Sequence, residues 1–222
     1  MATNSKISSQ IEWSNDEPDE SEFRELHDAI KSGKVGRNEY SGSNSDLEED
    51  DAEEPDEPGP KVLWCAQHNE FEKLRKVLDV NPDLLRFQDQ DGYTALHRAA
   101  YSDSKECLVE LLKRGADLKA TTQDGWTPLH SACRWNRVKS VEILLAWGAD
   151  VNHETEGGQT PLHLAAVCPD ALDTLTVLLL HKDIKPLSKN CQGDTPLDIA
   201  KRNSNPTSIF DACLPFFCDL SS

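Results

Sequence analysis

Asp91 Gly92 Tyr93 Thr94 Ala95 Leu96 His97 returns as Asp124 Gly125 Trp126 Thr127 Pro128 Leu129 His130. It returns again as Gly157 Gly158 Gln159 Thr160 Pro161 Leu162 His163, and then, changed at its last residue, as Gln192 Gly193 Asp194 Thr195 Pro196 Leu197 Asp198. The four threonines are 33, 33 and 35 residues apart, and a phrase repeated at such a period marks an array of like units. Each part of the phrase has a physical task. Gly permits a turn at the tip of a hairpin finger. Thr caps a helix N-terminus, and Pro fits the first helical turn, where its missing N–H is not needed.

The residues after each phrase read as two helices. Leu96, Ala99 and Ala100 give the first a thin face that neighbours can approach closely, and Cys107, Leu108, Leu111 and Leu112 give the second an apolar stripe. Gly115 ends it as a left-handed cap. Such a pair cannot bury its own faces, so stability comes from stacking.

Thr-Pro-Leu-His at this period, with Arg114 Gly115 Ala116 Asp117 and Trp147 Gly148 Ala149 Asp150 closing two outer helices, resembles the ankyrin repeat. The resemblance implies an all-α ankyrin-repeat solenoid, each unit a helix-turn-helix plus a hairpin finger. Asp103 and Asn136 stand where that family usually has Gly, and both tolerate left-handed backbone. Val62 to Ala66 with Phe71, Leu74, Val77 and Leu78 reads as an N-terminal cap without the phrase, and 195–203 with 206–214 as a final pair without the Gly-Ala-Asp tail. The domain is read as 61–222, with units at about 61–88, 89–121, 122–154, 155–190 and 191–222: a cap plus four repeats.

Residues 1–60 differ in kind. They hold 18 acidic residues against 5 basic ones, a net of −13 out of the chain's −17. Nine of the twelve residues from Asp46 to Glu57 are acidic, with Pro55, Pro58 and Pro60 close by. Such a run repels itself and has little to bury, so 1–60 reads as a disordered acidic arm. It serves either as a solubilising tail or as an interaction arm for a basic partner. Ser43 and Ser45 precede Asp46 and Glu48 by three residues, a spacing that resembles sites of acid-directed kinases, and phosphate there deepens an existing negative field. Phe23, Leu26 and Ile30 share a helical face, read as a nascent helix or a short groove-binding stretch. With basic residues neither in excess nor clustered, direct nucleic-acid binding is not expected.

Seven cysteines, an odd number, follow a polar N-terminus that reads as no signal peptide. A reduced intracellular protein is expected, which the family resemblance implies to be of the nucleus or cytoplasm, and a monomer. The longest apolar run, 175–180, is far short of the ~20 residues that span a bilayer, so no membrane contact is expected. His97, His130 and His163 recur at one repeat each, which reads as a structural ladder and not as a metal site, since rungs a whole repeat apart are too far for a shared zinc that sits ~2.0–2.1 Å from each nitrogen. No Ser, His and Asp grouping, phosphate loop or paired carboxylate stands in a recognisable context, so neither enzymatic activity nor a cofactor is expected.

What remains is a surface. The resemblance implies a concave groove of finger tips and first helices, whose positions here hold Gln90, Asp91, Tyr93, Arg98 and Tyr101, then Gln123, Asp124, Trp126, Ser131, Arg134 and Trp135, then Glu156, Gln159 and Val167. Tyr, Trp and Arg are the residues that most often anchor interfaces. Trp126 and Trp135 are therefore read either as anchors for a protein partner or as packing between repeats. Asn152, in Asp150 Val151 Asn152, resembles the hairpin asparagine accepted by ankyrin-directed hydroxylases. The resemblance further implies an adaptor in gene regulation. The alternatives are a ubiquitin-ligase substrate adaptor and a histone or basic-protein binder acting through the arm.

Overall fold

A computed structural model describes residues 53–168, 171–203 and 207–210. Contacts divide the chain into Met1–Glu53 and Glu54–Ser222, and the description concerns the second unit. Arm residues 1–52, with Ser43, Ser45 and the Phe23, Leu26 and Ile30 face, and the chain from 211 onward, lie outside the described residues.

Helices come in pairs. α1 (Pro58–Gln67) and α2 (Phe71–Val80) form the first, followed by a short 3-10 turn (Pro82–Arg86). α3 (Ala95–Ser102) pairs with α4 (Lys105–Lys113), α5 (Pro128–Arg134) with α6 (Val138–Ala146), and α7 (Pro161–Val167) with α8 (Leu172–Leu179); α9 (Pro196–Arg202) opens the last unit. The odd-numbered helices stack on one another as an inner row and α2, α4, α6 and α8 as an outer row. Among the described residues there is no strand, and the first finger closes on one antiparallel bridge, Gln88 to Thr94. This is the repeat solenoid.

The core follows the repeat. Leu96, Leu129 and Leu162 are buried at one register of the inner row, with Ala99, Ala100, Ala132, Ala165 and Ala166 keeping it thin. Leu108 and Leu111, Val141 and Leu144, then Leu175 and Leu178 are the matching buried pairs of the outer row. Each buried Leu contributes ~1.5–3 kcal/mol, and the helices of each row pack on those of the next unit, so cohesion is distributed along the stack. Outer helices end as the glycines indicate. Gly115 and Gly148 have φ of 83° and 85°. Their N–H groups bond Leu112 and Leu145, while Ala116 and Ala149 reach Leu111 and Leu144, the two bonds of a Schellman cap.

The start of the fold differs from the expected boundary at 60. Pro58 and Pro60 stand in the first turn of α1, where a missing N–H costs nothing. The Phe87 ring packs where a Cβ at Gly59 would sit. Glu54, part of the acidic run, ion-pairs with Lys61 and Lys73, and these two ammonium groups hold its carboxyl at about 2.

Candidate binding groove

Three hydrogen-bond ladders fix the inner face. The first runs through the phrase histidines. His97 Nδ1 accepts from the Thr94 amide at 3.2 Å while Nε2 donates to the Trp126 carbonyl of the next unit at 2.9 Å. His130 does the same between Thr127 and Gln159, and His163 between Thr160 and Asp194. A carbonyl can only accept, so each ring is the neutral Nε2–H tautomer. Burial holds His97 and His130 down to about 4 and lowers His163. Asp198 takes the fourth position, where its Oδ2 accepts from the amide and hydroxyl of Thr195.

The second ladder joins finger to finger. Gln123 N–H donates to Asp91 O, Glu156 N–H to Asp124 O and Cys191 N–H to Gly157 O. Approach this close requires glycine: a Cβ at Gly125, where φ is +79°, would lie 2.9 Å from Glu156 N.

The third joins turn to turn, and the sequence did not announce it. Asn69, Asp103 and Asn136 all have positive φ, 55°, 57° and 52°, and each side chain reaches forward to the first turn of the next outer helix. Asn69 donates to Glu106 at 2.9 Å, Asp103 Oδ1 accepts from both N–H and hydroxyl of Ser140 at 3.0 and 2.8 Å, and Asn136 Oδ1 accepts from Thr174 at 2.6 Å. Asp103 thus caps a helix one unit away. Only tolerance of left-handed backbone was legible, in Asp103 and Asn136, and Asn69 was not singled out; the forward reach depends on how units stack.

On this frame the predicted groove residues fall into two groups. Gln90, Asp91, Gln123, Asp124 and Glu156 are exposed on the fingers, with Tyr93, Trp126 and Gln159 half-buried at their base. Gln123 donates to Gln90 O at 2.6 Å. Arg98 is already engaged, by Asp89 at 2.7 Å and over the Tyr93 ring at 4.9 Å. The other group stands at the turn end of the inner helices. Trp135, the residue after α5, is 42% exposed and meets Tyr101 of the preceding unit edge to face, with ring centroids 5.1 Å apart. Arg134 lies 5.3 Å from the Trp135 ring, and Arg137, absent from the predicted set, donates to the Tyr101 carbonyl at 2.8 Å. Val167 ends α7, half-buried. Ser131 is corrected: it is buried between inner helices and offers no surface.

Other singled-out residues have structural partners. Asn152 spans to the next unit, its amide donating to Asp183 O at 2.6 Å and accepting from Lys185 N–H at 2.8 Å. Cys65, Cys107, Cys133 and Cys168 are free and buried, and burial pushes Cys65 to about 11 and Cys107 to about 12. Cys168 donates to the Arg134 carbonyl. Cys191 is exposed, and Cys213 and Cys218 lie outside the described residues. No described helix is long and apolar enough to cross a membrane.

Comparison with known proteins agrees with the geometry. A family model described as ankyrin repeats in three copies matches residues 62–155, and one for the single ankyrin repeat matches 157–191. The chain is 51% identical over 179 residues to Ankyrin repeat domain-containing protein 49 of Homo sapiens, a match covering 76% of this chain and 75% of the relative. It is 54% identical over 155 residues to the protein of that name from Bos taurus, covering 70% and 65%. The Drosophila melanogaster protein of that name is 50% identical over 151 residues, covering 68% and 70%.

Proposed function

Because the chain belongs to the ankyrin repeat family, whose repeats form protein–protein interaction modules, we propose that it is a non-enzymatic adaptor that holds a partner protein in the groove of fingers and inner helices. The observation that carries this reading is Trp135: an indole 42% exposed, braced by Tyr101 from the unit before it. An aromatic anchor held in place before binding loses little conformational freedom when a partner covers it. Ladders on both sides of the inner row keep neighbouring anchors in register.

The test is capture of partners by the full chain and by Trp126→Ala and Trp135→Ala variants with unchanged melting. Loss of either anchor weakens binding about tenfold or more, since ~1.4 kcal/mol is a factor of ten. Lys139→Ala and Glu142→Ala alter an ion pair on the outer helix and leave binding nearly unchanged. Undiminished binding by both Trp variants, with loss on removing residues 46–53, would make the arm the binding element. The cut stops at 53 because Glu54 belongs to the fold.

A further inference from the structure

The groove carries opposite charge at its two ends. At the finger end Asp91 and Asp124 are exposed at matching positions of adjacent fingers, where each backbone carbonyl accepts from the next finger. Asp124, Asp89 and Asp91 all act on the Tyr93 hydroxyl, and the cation beside them, Arg98, is already paired with Asp89. The turn end is the reverse. Arg134 and Arg137 flank the Tyr101 and Trp135 pair, and both guanidinium charges reach the Cys168 thiol. Arg98, Arg114 and Arg202 each hold a carboxylate, but among the described residues Arg134 and Arg137 hold none. In a chain with 40 acidic and 23 basic residues, two neighbouring guanidinium groups with no carboxylate partner among the described residues, next to an exposed indole, leave an unfilled complement.

We propose that the groove binds a partner segment with a carboxylate side chain at one end, a basic side chain at the other and an apolar one between: the carboxylate on Arg134 and Arg137, the apolar group on Trp135, the basic group toward Asp91 and Asp124. The inference rests on the groove being the binding surface. Guanidinium groups suit carboxylates because their planar N–H pairs match two oxygens, and shelter beside an indole raises the worth of the pair. A segment neutral overall escapes repulsion by the chain's −17, while the two charged ends admit one orientation. Spacing follows from the helix. α5 alone has 7 residues, about 10 Å at ~1.5 Å per residue, and the finger that carries Asp124 adds to it, so the opposite charges lie at least about three residues apart in an extended segment.

The experiment is fluorescence anisotropy of the full chain with a short labelled peptide, glutamates at one end, lysines at the other and leucine between, at physiological salt where exposed charges beyond about 8 Å are screened. Replacing its glutamates by glutamine weakens binding about tenfold, as does Arg134→Glu in the protein, whereas Arg134→Lys, which keeps the charge but loses the planar fork, weakens it less. Asp124→Lys weakens the same peptide and not its version with glutamine for lysine. The proposal is overturned if the glutamine peptide binds as well as the parent, if the parent peptide does not bind, or if Arg134→Glu and Arg137→Gln, shown to melt like the parent, bind undiminished. The underlying reading separates from it: Trp135→Ala weakening binding while no charge change does so removes the charge code alone, and indifference to Trp126→Ala and Trp135→Ala as well removes the groove.

Discussion

At the residue scale the phrase histidines make the fold sensitive to acid. Their neutral form is the one the ladder uses, with His97 and His130 held at about 4 by burial against 6.5 when free. The unfolded chain therefore takes up protons as pH falls below ~6.5 while the folded chain does not. Stability is complete above that value and is lost progressively as pH drops toward ~4, by a few kcal/mol in sum. Urea unfolding at a series of pH values checks this, and a flat profile between neutrality and pH ~5 contradicts the ladder. Glycines make a second contrast. Gly125 and Gly193 both have positive φ, 79° and 83°, but a Cβ meets Glu156 N at 2.9 Å at the first and nothing within 4 Å at the second. Gly193→Ala costs ~1–2 kcal/mol for the left-handed backbone. Gly125→Ala costs visibly more, because the next finger has to move. Equal melting temperatures for the two variants refute the close approach.

At the element scale, turns are the informative pieces. Glycine at 103 suits φ of 57° better than Asp does, so on backbone grounds alone Asp103→Gly stabilises. The structure predicts the opposite. Losing the acceptor for Ser140 N–H and hydroxyl uncaps α6 and costs ~1 kcal/mol or more. Asn69→Gly loses only an exposed bond to Glu106 and is near neutral by the same urea assay. Thr127→Ala, which removes the hydroxyl 2.8 Å from His130 Nδ1, costs ~0.5–2 kcal/mol. The helix starts, outer stripes and glycine caps could be read from the chain because each is set within a few residues by capping and period. The Asp103 to Ser140 bond could not: its partners are 37 residues apart, and local preference carries no record of which surface stacks where. The groove was legible to the same extent. Tyr101 and Trp135, read onto one surface, do meet edge to face, but the engagement of Arg98 by Asp89 and the burial of Ser131 depend on side-chain packing that a repeat pattern does not encode.

For the whole molecule, the acidic composition of residues 1–60 hid the last few, which are part of the fold. Cutting the chain before Glu54 keeps the first turn of α1, the Gly59 contact with Phe87 and the Lys61 and Lys73 pairs; cutting it before Lys61 removes them all. The shorter product melts a few degrees below the longer one, and coincident melts would show that residues 54–60 contribute nothing. Farther along, Asp198 changes the joint between units. A phrase histidine offers an N–H to the carbonyl of a following finger, whereas a carboxylate has only lone pairs to offer. A unit grafted after this one meets acceptor with acceptor at the phrase position, and the joint there lacks the side-chain bond that the others have. New units can be spliced in upstream, between phrases that end in histidine, where each joint keeps its side-chain bond and the array grows from within.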